Sequence, residues 1–227
     1  GKRVLLRVDF NVPINDGAIT ENSRIEKVLP TIKFLINKKA KIIIIAHLGR
    51  PKGKIVPGLT LKPIAKKLSD YLNQDVMFLN ESIGTLVIQN SKKIPNGKVM
   101  LLENIRFHKE EELNSASFAK ELSKIGDIYV NEAFPCSHRA HASIHGITKH
   151  INSFAGDQLL KEVYATSETL NQTITSFDQI TKETAGHVTA ALKDFRATAS
   201  SVKRLSEEAE NIVRDNRDPI NEFTQVG

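Results

Sequence analysis

The chain has 227 residues, 40% of them hydrophobic and 26% charged, with a net charge of +6. That is the composition of an ordinary globular protein of one or two domains, and about 150 residues suffice to bury a sizeable core. A single cysteine, Cys136, excludes an internal disulfide and fits a reducing, cytoplasmic setting. No apolar run approaches the roughly 20 residues of a membrane-spanning helix.

The first apolar run, Val4 to Phe10, predicts a strand. Gly1 leads into it almost at once, with neither a signal peptide nor an initiating Met, so the chain reads as beginning inside a longer sequence. Glu21–Asn37 predicts a helix, with Ile25, Val28, Leu29, Ile32, Leu35 and Ile36 at helical spacing. Lys41–Ala46 is nearly continuous in β-branched residues, as expected of a strand buried on both faces. A helix follows over Leu61–Leu72, strands over Asp75–Leu79 and Val99–Glu103, a helix over Ser115–Lys124 and a strand over Ile128–Asn131. This alternation predicts an α/β fold with a doubly wound, mainly parallel, Rossmann-like sheet over residues 1–156.

Residues 157–227 differ. Ten of 12 glycines and seven of eight prolines lie in residues 1–156. From Leu170 to Ile212, apolar or small residues recur at alternating four- and three-residue steps, the seam of a long helix that packs against others. Asn216-Arg217-Asp218-Pro219 is expected to break that helix. Charge divides at the same boundary: residues 1–156 carry +10 and residues 157–227 carry −4. A basic half suits anionic partners, either nucleic acid or small phosphates.

Ligands of open α/β sheets bind beyond the carboxyl ends of the strands. Every long strand here ends in polar residues: Asp9-Phe10-Asn11-Val12-Pro13, His47-Leu48-Gly49-Arg50-Pro51, Glu103-Asn104-Ile105-Arg106-Phe107, and Asn131-Glu132 followed by Ser137-His138-Arg139-Ala140-His141. Arg24 adds a cation at the start of the first helix. Taken singly, a strand-end arginine is more often a surface ion pair, Asp9 or Asn11 a turn cap, and His47 a satisfied core histidine. Together on one sheet edge, clustered arginines need an anion, and their paired donors match carboxylate and phosphate oxygens. Nucleic acid is the weaker alternative, because aromatics are only 6% of residues and no nucleic-acid motif is present. Cys136 reads as a small buried residue rather than a nucleophile, and His138 and His141 lack a third metal ligand at a convincing spacing. No Walker-type or GxGxxG loop is found.

The four strand-end motifs, in this order and spacing, resemble the phosphoglycerate kinase family over residues 1–156. The resemblance implies binding of 3-phosphoglycerate or 1,3-bisphosphoglycerate by Asp9, Asn11, Arg24, His47, Arg50, Arg106 and Arg139, with Arg24 also stabilising the transferring phosphoryl group. Asp9 would accept from the substrate hydroxyl or orient an arginine. One departure is Glu132, where the family is expected to carry Asp. The family also implies Mg-ATP or Mg-ADP, bound by a second domain with a glycine-rich loop, phosphate-binding lysines and an acidic metal ligand. Residues 157–227 contain none of these, so the chain alone is expected to be catalytically incomplete. Its end, Asp215 to Phe223, resembles instead the helical tail of MCE-family lipid-transport proteins, which implies a tail of foreign origin. The alternative function is therefore an interaction protein that self-associates through the helical tail and carries the α/β half as a passenger.

Overall fold

The computed structural model describes residues 1–15, 17–183 and 189–225, with side chains left out at 180–183, 189–191 and 211–225. Two compact units result, Gly1–Gln158 and Leu159–Gly227. In the first, β1 (Arg3–Arg7) is followed by a short antiparallel pair, β2 (Ile14–Asn15) and β3 (Ala18–Ile19), and by α1 (Ser23–Asn37). Then come β4 (Lys41–Ile45), α2 (Lys62–Leu72), β5 (Val76–Leu79), α3 (Thr85–Lys93) and β6 (Val99–Leu102). The unit closes with α4 (Lys109–Glu112), α5 (Ala116–Ser123), β7 (Ile128–Asn131) and β8 (Ser153–Ala155).

Six strands form one sheet in the order β5-β6-β4-β1-β7-β8, every neighbouring pair parallel. Side chains alternate across the pleat, so each strand feeds two cores. Val4, Leu6, Ile42 and Ile44 pack on one face with Ile25, Val28 and Ile32 of α1 and Ile64 and Leu68 of α2. Leu5, Ile43 and Ile45 pack on the other with Val87 of α3 and Phe118 and Leu122 of α5. Helices thus cover both faces, as the doubly wound reading predicts. Parallel strands all end on the same edge, and the four strands that carry the motifs, β6, β4, β1 and β7, are contiguous in the sheet.

The second unit corrects the sequence reading. One continuous helix was expected; two are present, α6 (Asp157–Glu183), whose first residues, Asp157 and Gln158, belong to the α/β unit, and α7 (Thr189–Gln225). They run antiparallel: Phe177 meets Phe195 with ring centroids 5.9 Å apart, and Arg196 bonds Asp178 at 2.5 Å. Tyr164 pairs with Glu210 near the other end. The expected heptad set is only partly the seam: Leu170, Phe195 and Val202 are half-buried, but Phe177, Thr198 and Leu205 are exposed, and Leu192, Ala199 and Ser206 are buried instead. Gly186, the only glycine of that stretch, lies outside the described residues. The break expected at Pro219 is absent, since α7 continues through it. Proline removes one backbone hydrogen bond, and a helix this long keeps the rest; α1 likewise contains Pro30.

Candidate functional site: a cationic crevice at the carboxyl edge of the sheet

The polypeptide leaving β1 turns at once on its own side chains. Asp9 is buried, and its Oδ1 accepts from the backbone N–H of Asn11 at 3.0 Å. Its Oδ2 pairs with Arg24, which α1 projects from its first turn. Asn11 Oδ1 accepts from the N–H of Gly49 at 2.8 Å, which ties the loop after β1 to the loop after β4. Gly49 has φ +63°, and a Cβ there would lie 2.8 Å from the Leu59 side chain, so the turn requires glycine. Its carbonyl accepts from Arg106 Nη1 at 3.0 Å, which brings in the loop after β6. Asn104 fixes that loop by donating to the carbonyls of Leu48 and Leu59. The strand-end motifs therefore form one interlocked structure.

His47 lies at its centre, 3% exposed. Its Nε2 is 4.0 Å from Asp9 Oδ1 and 3.9 Å from Cys136 Sγ. Burial, reinforced by the Arg7, Arg106, His141 and Arg139 charges, holds its pKa well below the usual histidine value. Arg106 is also buried; its Nε finds no hydrogen-bond partner and stands 3.7 Å from Glu112 Oε1. Cys136 is buried, as expected, and burial pushes its thiol pKa up, which suits packing rather than nucleophilic attack.

Of the seven predicted residues, the structure links Asp9, Asn11, Arg24, His47 and Arg106 directly or through Gly49. Arg139, half-buried, bonds only the neighbouring His138 Nε2 at 3.3 Å, and its charge acts on His47 and Arg106. Arg50 is exposed on the loop after β4, and among the described residues no hydrogen bond or ion pair joins its side chain to the other six. Neither Arg50 nor Arg139 has a carboxylate within ion-pair reach among the described residues.

Sequence reasoning missed the layer beneath. Arg7, the last residue of β1, is fully buried; its Nε donates to Ser143 Oγ at 2.9 Å, its Nη1 to the Val8 carbonyl, and its Nη2 meets His47 Nδ1 at 3.1 Å. Its counter-charge is Glu111, also fully buried, which accepts from Ser143 N at 2.8 Å and Ser143 Oγ at 2.6 Å. Burial raises the Glu111 pKa, and Arg7 opposes that rise. An arginine inside an apolar strand was the available signal. Glu111, within Lys109-Glu110-Glu111-Glu112, reads in sequence like any solvated helix turn. Glu132 is also structural: it accepts from Thr31 of α1 and from Gln158 N at the start of α6. A concavity of about 490 Å³ lined by Ser123, Asp127, Lys149 and Asn152 lies at the opposite, amino edge and holds none of the predicted residues.

Fold and site together define the class: a doubly wound α/β domain whose sheet edge presents a cluster of guanidinium groups around a buried histidine. The chain belongs to the phosphoglycerate kinase family, which it matches over residues 1–181. The match passes residue 156, the boundary expected from the motifs, and takes in most of α6. The chain is 52% identical to the phosphoglycerate kinase of Finegoldia magna over 164 residues, 71% of this chain and 42% of that protein. It is 50% identical to that of Leptospira biflexa, covering 72% and 41%. Among solved structures it is similar to the phosphoglycerate kinase of Coxiella burnetii (39% identity, TM-score 0.65, 71% of this chain and 40% of that one). It is similar also to that of Pyrococcus horikoshii (35%, TM-score 0.66, 72% and 42%). The chain thus spans about two fifths of the length of the curated relatives it matches.

Proposed function

We propose that residues 1–156 bind 3-phosphoglycerate or 1,3-bisphosphoglycerate in this crevice, as the ligand-holding half of a phosphoryl-transfer site. The observation that carries the reading is the charge balance. Arg7 is matched by Glu111 and Arg24 by Asp9, while Arg50 and Arg139 have no such partner. Like charges so placed need an anion, and guanidinium forks suit phosphate and carboxylate oxygens. In this reading Arg50, Arg106 and Arg139 grip the ligand, Asn11 and Asp9 orient its hydroxyl, and Arg24 exchanges its contact with Asp9 for the transferring phosphoryl group. Positioning and charge neutralisation are most of what that chemistry asks of a protein.

The family implies Mg-ATP as the second reactant. No group of three or more His, Cys, Asp or Glu side chains among the described residues is placed to hold a metal ion, and the crevice's own donors are cationic. The chain alone is expected to bind ligand without turning it over. Calorimetric titration with 3-phosphoglycerate tests the reading. Arg50→Ala and Arg139→Ala are each expected to weaken binding by about 1–3 kcal/mol, the range for hydrogen bonds to charged groups. Unchanged affinity in both variants, or ATP turnover by the chain alone, overturns it.

A second reading, self-association through α6 and α7, draws on Phe177 and Leu205, which stay 43% and 56% exposed. A tail of foreign, MCE-like origin would begin beyond residue 181, where the family match ends. Sedimentation of a strict monomer at high concentration sinks the self-association reading. No described helix is long and apolar enough to cross a membrane.

A further inference from the structure

Beneath the crevice lies a buried polar chain that the ligand reading does not use: Glu111, Ser143, Arg7 and His47. Its hydrogen bonds can be assigned without ambiguity of donor and acceptor at the arginine. A guanidinium is always protonated and has no acceptor atom. The contact of 3.1 Å between Arg7 Nη2 and His47 Nδ1 is therefore N–H to lone pair, and Nδ1 carries no proton. A neutral imidazole holds its one proton on the other nitrogen, so it sits on Nε2.

The groups facing His47 come from every strand end around it. Arg7 lies below it from β1; Asp9 and Cys136 lie beside Nε2; Arg106, Arg139 and His141 stand around the ring from the loops after β6 and β7. Only Asp9 is anionic, and it is 4.0 Å away and already paired with Arg24. A second proton on the ring would have to enter at Nδ1, directly against a guanidinium.

Arg7 cannot turn away. It is fully buried, and its Nε donates to Ser143 Oγ, whose own proton goes to Glu111 Oε1 at 2.6 Å. Glu111 is held in turn by the backbone N–H of Ser143 at 2.8 Å. A buried guanidinium with its counter-charge one hydroxyl away is fixed in direction as well as in charge.

We infer that Arg7, oriented by Ser143 and Glu111, is a positioning residue that locks His47 as a neutral imidazole protonated on Nε2. The crevice then offers a fixed N–H donor at Nε2, which selects an acceptor oxygen at that point of the ligand and does not titrate with the ligand. The donor role at Nε2 rests on the ligand reading above; the lock itself does not.

Two-bond proton–nitrogen correlation spectra of the full chain, labelled at histidine, test the lock. In the wild type, His47 is expected to show a protonated Nε2 and a bare Nδ1, unchanged from about pH 8 to about pH 5.5, across the ordinary histidine value of roughly 6.5. Removing both charges together, as Arg7→Met with Glu111→Gln, is expected to let both tautomers appear, while burial and the Arg106 and Arg139 charges still keep the ring neutral. Ser143→Ala, which disturbs the core less, is expected to admit a minor Nδ1-protonated form. Arg7→Lys, still a pure donor, keeps the Nε2 form.

A wild-type His47 that is protonated on Nδ1 or titrates in this range overturns the inference. So does a Ser143→Ala spectrum identical to wild type, even if the double variant does not fold. Adding 3-phosphoglycerate separates the two claims. An unmoved Nε2–H signal with the tautomer intact counts against ligand binding and leaves the lock standing; a moved signal on a mixed tautomer does the reverse.

Discussion

At the scale of the residue, the buried ionisable groups make stability depend on pH, with a sign that can be worked out. His47 and His141 both have pKa values lowered first by burial, and then by neighbouring cations. In the unfolded chain they take protons near pH 6.5; in the folded state they do so only at lower pH. Below that value the unfolded state binds more protons, so stability falls as pH falls. Glu111 opposes this: burial raises its pKa, so just above the ordinary carboxylate range the folded state is the one that holds the extra proton. The histidines act first on acidification from neutrality. We expect the urea midpoint to drop from pH 7.5 to 5.5, with His47 alone contributing up to about 1.4 kcal/mol per pH unit below its ordinary value. His47→Gln should flatten the profile, and a flat wild-type profile would contradict the burial of these groups. At this scale the site was about half legible. Arginine, histidine and asparagine after each strand announce themselves by position. Arg7, Ser143 and Glu111 do not, because they meet only through contacts 32 and 136 residues apart in sequence.

At the scale of the element, the α/β unit's strands and helices with strong periodicity stand where the sequence places them, within a residue or two at their ends, except that β1 stops at Arg7 and not at Phe10. The elements missed are those whose pattern is short or weak. Strand β8 has three residues, and α3 carries Gln89, Asn90 and Ser91 in its middle, so neither shows enough apolar repeat to register. Yet β8 has a visible consequence. Gly156 follows it, bonded to the Asn131 carbonyl at 2.8 Å, and a Cβ on Gly156 would fall 2.2 Å from Glu132 Cδ. The longer side chain at 132 fits because residue 156 has none. Gly156→Ala is therefore expected to destabilise the domain by about 1–3 kcal/mol, the usual cost of overpacking. In a Glu132→Ala background the Cγ, Cδ and Oε2 atoms that crowd the added Cβ are gone, and the added cost of Gly156→Ala should shrink by more than half. Urea unfolding of the four proteins in this cycle measures it. Equal costs in both backgrounds would show that the contact is not what requires glycine at 156.

At the scale of the whole molecule, every crevice side chain lies between Arg7 and Ser143, inside the unit Gly1–Gln158. That unit also contains the complete sheet and both hydrophobic clusters. A domain of this size buries roughly 68–70% of the surface its unfolded chain exposes, enough for independent folding. Its last turn, at Gln158, is tied in by the bond from Gln158 N to Glu132. Residues 1–158 prepared alone are thus expected to unfold cooperatively. They should bind 3-phosphoglycerate within about twofold of the full chain, because energies at sites that share no partners add to within about 0.3–0.5 kcal/mol. The family match argues the other way, since it continues through α6 to residue 181. A chain ended at residue 181 separates the two. If residues 1–158 lose more than tenfold in affinity and residues 1–181 recover it, α6 supports the crevice and the functional unit ends with the family match. If both behave like the full chain, the site is complete at Gln158, and α7 can be removed or exchanged without loss of binding.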